Sequence, residues 1–498
     1  MSQTLFGRLH RHFGSGADVM SRREALKAAL AASAGLIAAG VTPALGRQPA
    51  GPKVLVIGGG FAGLAAAYQL AGQRWDVQVI EARHRLGGRV LTLGGMGLST
   101  QGDSGKLVVE AGGEFFGSNH PMWMAFLSRL GIERADVIEE DDLRFPVHIA
   151  GRMLDEAAAE KLYEEMDAAL ATMNADAANI NADEPWTSPN AAELDRKTVE
   201  DWIRNLSASD LCKAALRTQL SVDNGVETVA QSYLGQLTMV KGGGLEKYWT
   251  DSELYKCLGG NMQFAGKIAQ TLGRGRLTMG VRATRIEHSD TGVRVTCSDG
   301  EVRTADHAIL ALPPSLWPTI QFAPALPRDL AWQMGRNVKY LATVGSEFWV
   351  QGGFAPEALS DGPVSMTWRA GDGHIPKQPV PGQRHVLTAF SGAAAADQCR
   401  AVPADALDEF YKREIDKLLP GFAENFISGR FIDWPSDGNT AGSYSFPAPG
   451  QVMASAPTLR KGIGRLHFAG EHACPKFVGY MEGALTSGFD VARRLTGG

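Results

Sequence analysis

"KVLVIGGGFAGLAAAYQLAGQRWDVQVIEARHRLGGRV" (Lys53–Val90) decides the fold. Val54–Ile57 is a short apolar run of the kind buried on both faces in a parallel sheet. Gly58, Gly60 and Gly63 follow at G-x-G-x-x-G spacing, and the residues from Phe61 and Ala62 to Leu70 read as an alanine-rich helix. A second run, Val77–Ile80, ends on Glu81, 23 positions after Gly58. Glycines so placed allow a sharp turn, let backbone N–H groups approach a pyrophosphate at the helix N-terminus, and let helix and strand pack closely. An acid at the tip of the second strand accepts hydrogen bonds from an adenosine ribose. A lone glycine fingerprint is weak, because Gly-rich turns are common. Here strand, turn, helix, second strand and acid follow in order, which predicts an α/β dinucleotide-binding fold.

Working outward, the bulk composition bounds the rest. A chain of 498 residues, 44% hydrophobic and 21% charged, is long enough for two or three domains with sizeable cores. Its 59 glycines are well above average usage and imply many tight turns and close backbone approaches. A net charge of −5 gives no reason to expect nucleic acid or an acidic membrane surface as partner. Beyond the N-terminus no window is long and apolar enough to span a bilayer. Five cysteines (Cys212, Cys257, Cys297, Cys399, Cys474) are odd in number and scattered, with no C-x-x-C. They offer neither a disulfide framework nor a zinc signature, and the histidines show no metal-ligand spacing on any predicted helix. No metal site is expected.

At the N-terminus, "SRREALKAALAASAGLIAAGVTPALG" (Ser21–Gly46) sets Arg22-Arg23 before an apolar run, Ala28–Val41, and a small-x-small cleavage candidate, Ala44-Leu45-Gly46. It resembles a twin-arginine export signal, with Ala25 where that pattern prefers Phe. The alternative is an uncleaved surface helix. The resemblance implies that 1–46 is a signal and not part of the fold, that the Tat translocase is a partner, and that the folded, cofactor-loaded protein is delivered to the periplasm.

The extension "EARHRLGGRV" separates FAD from NAD. Ala82 and Arg83 follow the ribose acid, and Gly87-Gly88-Arg89 resembles the second fingerprint of the FAD-dependent amine oxidases and their relatives. The resemblance implies that Arg89 approaches the FAD phosphates, where a guanidinium pairs well; a plain surface charge is the alternative. "VVEAGGEFFG" (Val108–Gly117) is similar to the strand and loop that pass the isoalloxazine in that family, with Gly112 and Gly113 permitting the approach.

The likeness to flavin-containing monoamine oxidases runs from about Lys53 to the end. "LGGNMQFAGKIAQTL" and "RLTMGVRATRIEHSDTGVRVTCSDG" resemble the family's middle FAD segment, which implies that Val281 touches the adenine through its backbone. "HAILALPPSLW" continues as a strand and a Pro turn. Near the C-terminus, "LHFAGE" resembles the last strand and turn of the flavin domain, with Gly470 and with Glu471 near the ribityl or phosphate region. A helix starting near Tyr480 would aim its N–H groups at the flavin N1–C2=O edge, with Met481 contributing backbone.

The fold thus expected is an α/β FAD-binding domain, Rossmann-like and of glutathione-reductase type, interleaved with an α+β substrate-binding domain. The first comprises 51–130, 255–325 and 425–498; the second comprises 131–254 and 326–424. From about Arg134 to Val240 helical patterns dominate, as in "DEAAAEKLYEEMDAALATM" and in "TVEDWIRNL", where Thr198 and Asp201 stand at capping-box spacing. "VKYLATVGSEFW" and "HVLTAFSG" read as strands. The Pro-rich stretch Ile375–Pro381 reads as a loop.

Three residues stand out as catalytic candidates. Alone, Lys339 would be read as a solvated strand lysine. The family places a lysine at the matching position, ten residues before the tryptophan that here is Trp349. There it is linked through water to flavin N5, and a cation would help oxygen take electrons from reduced flavin. "WPSDGNTAGSYSFPAPG" (Trp434–Gly450) is similar to the segment that brings an aromatic ring to the flavin face; Tyr444 takes that position, with Phe446 as the alternative and plain core packing as the bland reading of both. Gly442-Ser443 stands where covalent monoamine oxidases carry their flavin-linked cysteine, so FAD is expected to be non-covalent. Tyr480 matches the opposing aromatic. Cys474, in the closing stretch, is read as a semi-buried bystander.

These features predict an FAD-dependent amine oxidase. An amine would lose hydride to flavin N5, and the imine would hydrolyse to an aldehyde or ketone. The electron acceptor would be O2 or a periplasmic carrier, and a homodimer is left open. In L-amino-acid oxidases a carboxylate-binding arginine follows the G-G-R motif; here Leu91, Thr92 and Leu93 follow it, with Arg217 or Arg369 as distant candidates for the charge. Glu114, beside the flavin-facing loop, is expected to face solvent, with recognition of a second cationic group as the alternative. An L-amino-acid oxidase, a desaturase of the carotenoid or porphyrinogen type, and a non-catalytic flavin-binding protein are the competing readings.

Overall fold

Val54, Val56, Val77 and Val79 are fully enclosed because their strands lie in the interior of a parallel sheet. The computed structural model describes residues 4–14, 51–94, 108–137, 143–371 and 384–497. Its parallel sheet has the strand order Leu466–Phe468, His307–Leu310, Lys53–Ile57, Asp76–Glu81, Leu277–Met279. Helix Phe61–Gly72 leaves the first strand through the glycine turn, and the C-terminal helix Met481–Leu495 packs against it in one apolar cluster. Chain segments more than four hundred positions apart are thereby neighbours. A four-stranded sheet, Val302–Ala305, Val293–Cys297, Ala283–His288 and Gln321–Ala323, lies within the same part of the chain.

A second body is built on a seven-stranded sheet. Its order is Phe426–Asp433, Asn337–Val344, His385–Gly392, Met366–Arg369, Ala358–Ser360, Val147–Ile149, Arg152–Met153. All of its pairs are antiparallel except Ala358–Ser360 with Val147–Ile149. Strand Asn337–Val344 is buried at every position, which is why Lys339 is not the solvated lysine that a half-exposed strand would give. Helices Glu156–Ala177, Asp210–Asn224 and Tyr233–Gly242 share the core of this body. The Thr198/Asp201 capping box forms, Asp201 N–H donating to Thr198 Oγ1 at 3.0 Å and Thr198 N–H to Asp201 Oδ2 at 2.9 Å.

Two expected boundaries need correction. Strand Phe426–Asp433 pairs along its length with Asn337–Val344, so the return to the flavin-side body falls after residue 433 and not at 425. Segment 1–46 is not devoid of fold: Leu5–Phe13 forms a helix capped by Thr4, with Leu5, Phe6 and Leu9 buried in the same core as helix Glu156–Ala177. Phe6 N–H donates to Gln219 Oε1 at 3.0 Å, and Arg8 pairs with Glu357 at 3.2 Å. Apolar residues at one-turn spacing on a short basic helix give it a face to bury. Arg22-Arg23, the apolar run, the cleavage candidate and the Pro-rich stretch Ile375–Pro381 lie outside the described residues.

Candidate active site

Both bodies contribute to one cavity of ≈ 350 Å³, whose lining runs along the chain from Ile57 to Ala484. Gly58, Gly60, Phe61 and Ala62 form part of its wall. Gly58 has φ +113°, and a Cβ there would stand 2.5 Å from the Ala311 carbonyl oxygen, so only glycine fits this turn. Gly63 does not line the cavity; it sets the helix–strand distance, since its Cβ would fall 2.1 Å from the Gly58 carbonyl oxygen. Helix Phe61–Gly72 has no side-chain cap, which leaves its first-turn N–H groups for a ligand.

Glu81, on the cavity wall, accepts from Gly59 N–H at 2.7 Å and from Arg83 N–H at 2.8 Å. Arg83 and Ala82 also line the cavity, and the Arg83 guanidinium is held by Asp437 at 2.5 Å and by Thr440 Oγ1 at 2.8 Å. Val281 N–H donates to the Glu81 carbonyl at 2.9 Å; a backbone contact to a ligand therefore falls to its C=O.

Gly88, Arg89, Gly470 and Glu471 bring the second fingerprint to the C-terminal turn. Arg89 Nη1 donates to Glu471 Oε1 at 2.7 Å and to the Ser443 carbonyl at 2.9 Å. Glu471 Oε2 accepts from Ser445 Oγ at 2.7 Å and from Gly479 N–H at 2.8 Å. Burial alone would raise this carboxyl, but Arg89 and the hydrogen bonds hold it below the usual range. Glu471 therefore orients Arg89 and the turn before Tyr480. His472, missed in the sequence, is buried on the cavity wall with neither ring nitrogen partnered by protein, and burial lowers its pKa to about 4.

Loop Gly112–Gly113 passes the cavity in tight contact with the second fingerprint, since a Cβ on Gly112 would lie 1.9 Å from the Arg89 carbonyl oxygen. Lys339 reaches this loop from the other body. Its Nζ donates to the Glu110 carbonyl at 3.1 Å, the Gly112 carbonyl at 3.0 Å and Glu114 Oε2 at 2.8 Å. Glu114 corrects the expectation of a solvent-facing side chain: it is 2% exposed. Its carboxylate also takes Lys256 Nζ at 2.9 Å and Trp368 Nε1 at 3.1 Å. Burial pushes the Glu114 carboxyl up, but the two ammonium groups override it and hold it at about 2. Neighbouring Glu110, lacking such a partner, is raised by burial to about 7.

Tyr444 and Tyr480 both line the cavity, whereas Phe446 is buried in the core and does not. Phe115, Trp368 and Phe390 complete an aromatic wall that no sequence motif marked. Tyr480 is the N-cap of helix Met481–Leu495 and makes no side-chain cap bond. Met481 lines the cavity, and its side chain, not only its backbone, packs on Gly113. The arginines lining the cavity are Arg83, Arg89 and Arg282. Arg217 is held bidentately by Glu200, and Arg369 pairs with Glu347; neither reaches the cavity. None of the five cysteines lines it, and burial pushes the Cys474 thiol up to about 12.

An uncapped helix start, a glycine turn open to close approach, a ribose-type acid, an arginine and an unpartnered histidine along one cavity fit an elongated dinucleotide with a negative pyrophosphate. The chain belongs to the family of flavin-containing amine oxidoreductases, whose pattern matches residues 61–496. It is 26% identical over 469 residues to amine oxidase [flavin-containing] A of Bos taurus, covering 89% of this chain and 84% of that one. It is 27% identical over 467 residues to the amine oxidase [flavin-containing] of Oncorhynchus mykiss, with 89% and 85% covered. Among solved structures, cyclohexylamine oxidase from Brevibacterium oxydans IH-35A superposes with a TM-score of 0.77 at 26% identity, covering 90% of this chain and 99% of that one. Putrescine oxidase shares the fold, with a TM-score of 0.76 at 23% identity. The protein is an FAD-dependent amine oxidoreductase of mixed α/β, two-domain fold.

Proposed function

We propose that the protein catalyses oxidative deamination of an amine lacking an α-carboxylate, giving an imine that water hydrolyses to an aldehyde or ketone. The observation that carries this reading is the aromatic wall of Tyr444, Tyr480, Trp368 and Phe390 in a cavity whose arginines, among the described residues, are Arg83, Arg89 and Arg282. FAD, when bound, supplies the hydride acceptor at N5 and passes electrons on to O2 or a periplasmic carrier. Within the Rossmann-like, glutathione-reductase-type reading of the parallel-sheet body, Gly58, Gly60 and Arg89 hold the phosphates, Glu81 the ribose and Val281 the adenine.

The remaining work is positioning. Tyr444 and Tyr480 orient a neutral amine and exclude water from its α-carbon. Lys339 holds a positive charge beside the Gly112–Gly113 loop, where electron transfer to oxygen builds up negative charge. The uncapped N-terminus at Tyr480–Met481 stabilises negative charge in the same way. With no thiol on the cavity wall, the cofactor is non-covalent, and acid precipitation should release all flavin into the supernatant.

Anaerobic mixing with amines, polyamines and α-amino acids, followed by flavin absorbance, tests the assignment. Bleaching by amines supports it; bleaching by α-amino acids alone would overturn it in favour of an L-amino-acid oxidase. Export by the twin-arginine route to the periplasm is part of the same proposal. Cell fractionation and the mature N-terminus test it, and a periplasmic form beginning near residue 47 would have shed helix Leu5–Phe13.

A further inference from the structure

Lys256 is a buried lysine that no step above uses. It sits in strand Tyr255–Cys257, outside the cavity lining, with 7% exposure. Its Nζ donates to Glu114 Oε1 at 2.9 Å and to the Arg369 carbonyl at 3.2 Å, and lies 4.8 Å from the centre of the Phe115 ring, whose residue lines the cavity. Glu114 is the single carboxylate shared by Lys256 and Lys339. Two ammonium groups against one carboxylate leave one net positive charge with almost no access to water. Lys339 Nζ has a protein acceptor for each of its three protons.

The other charged groups around the cluster do not cancel it. The Arg369 side chain is committed to Glu347. Glu110 faces Asn261 N–H and Thr92 Oγ1 and, held up near 7 by burial, is neutral in mildly acidic buffer. Screening by water is weak where all three side chains are this buried, so a unit charge acts over several ångströms.

We propose that Lys256, acting through Glu114, completes a buried cation with Lys339 that sets the redox poise of the flavin cavity. Lys256 is a positioning residue in this scheme, since it touches neither cavity nor reacting atoms. Without it, Glu114 and Lys339 form a neutral pair; with it, the cavity wall carries the positive charge that favours the electron-rich state of whatever the cavity holds. The inference rests on FAD occupying this cavity, but not on the identity of the amine.

The test is the midpoint potential of the FAD-loaded protein at pH 6, measured by reductive titration against a reference dye, for wild type, Lys256→Met, Lys256→Gln and Lys256→Arg. Neutralising Lys256 should disfavour reduction by about tenfold, read as a shift of about 30 mV to lower potential for a two-electron couple. Lys256→Arg, which keeps the charge, should hold the wild-type value. If either neutral variant that retains FAD keeps the wild-type potential, or if Lys256→Arg moves as far as the neutral variants, the proposal is overturned. Because the titration uses a chemical reductant, it reports on the cluster even if no amine reduces the protein.

Discussion

Arg89 and Glu471 stand 382 positions apart in the chain and meet in an ion pair of 2.7 Å. The pair joins the second glycine fingerprint to the C-terminal turn, and Glu471 has only a few per cent of its side chain exposed. Arg89→Met would leave that carboxylate buried without its cation, at a cost of about 3 kcal/mol. The expected result is a lower denaturant midpoint together with weaker FAD retention on dialysis. Unchanged FAD affinity would separate Arg89 from the phosphate role.

Acid and neutral limbs of the stability profile should have different owners. Glu114, ordinarily near 4.5 and held at about 2, contributes stability that is complete above pH 4.5 and is lost as pH falls toward 2. Glu110 works with the opposite sign. Its folded-state value of about 7 means the native protein binds the extra proton, so stability declines as pH rises from 4.5 to about 7. Glu482, likewise raised by burial to about 7, shares that limb, so Glu110→Gln should reduce its slope in urea titrations from pH 5 to 8 without abolishing it, and an unaltered slope would remove Glu110 from the account.

Tyr444→Leu and Tyr480→Leu should each lower kcat/KM for amines by about 100-fold, the scale of a misplaced reacting atom. FAD content should be unaffected. Stopped-flow reduction by amine checks this, and reduction at the wild-type rate would make the rings mere packing.

Lys339→Met should slow reoxidation of reduced flavin by oxygen on the order of 100-fold, as expected when a preorganised charge is removed. Reduction by amine should change far less. Loss of both half-reactions together would mark Lys339 as a tie between the two bodies, through the Glu110 and Gly112 carbonyls, and nothing more.

Gly63→Ala places a methyl 2.1 Å from the Gly58 carbonyl oxygen, far inside van der Waals contact. Helix Phe61–Gly72 must shift, costing about 1–3 kcal/mol of stability. Calorimetry of the FAD-loaded protein would show the loss, and FAD should dissociate more readily, because the turn that approaches it moves with the helix.

Much of this molecule was legible in one dimension because the signals were local. Strand, glycine turn, helix and acid at Lys53–Glu81 each follow from spacing, and the same holds for the Thr198/Asp201 cap. Strand Phe426–Asp433 belongs to the second body for a reason its own residues do not carry: which sheet claims an edge strand depends on the partner, here Asn337–Val344. Helix Leu5–Phe13 was hidden for a related reason: its apolar face has value only where Gln219 and the core around helix Glu156–Ala177 receive it.

The sequence by itself determined the parallel-sheet body, the cofactor class and the glycine turns that line the cavity, since hydrogen-bonding turns and helix starts are encoded within a few positions. Only the tertiary structure decided that Tyr444 and not Phe446 faces the cavity, that Arg217 and Arg369 do not, and that Glu114 is buried between two lysines. A carboxylate's environment is set by which charges fold against it, and Lys256 and Lys339 come from segments 142 and 225 positions away, 256 minus 114 and 339 minus 114. No local pattern can carry that, because the energy that keeps Glu114 ionised exists only once both ammonium groups arrive.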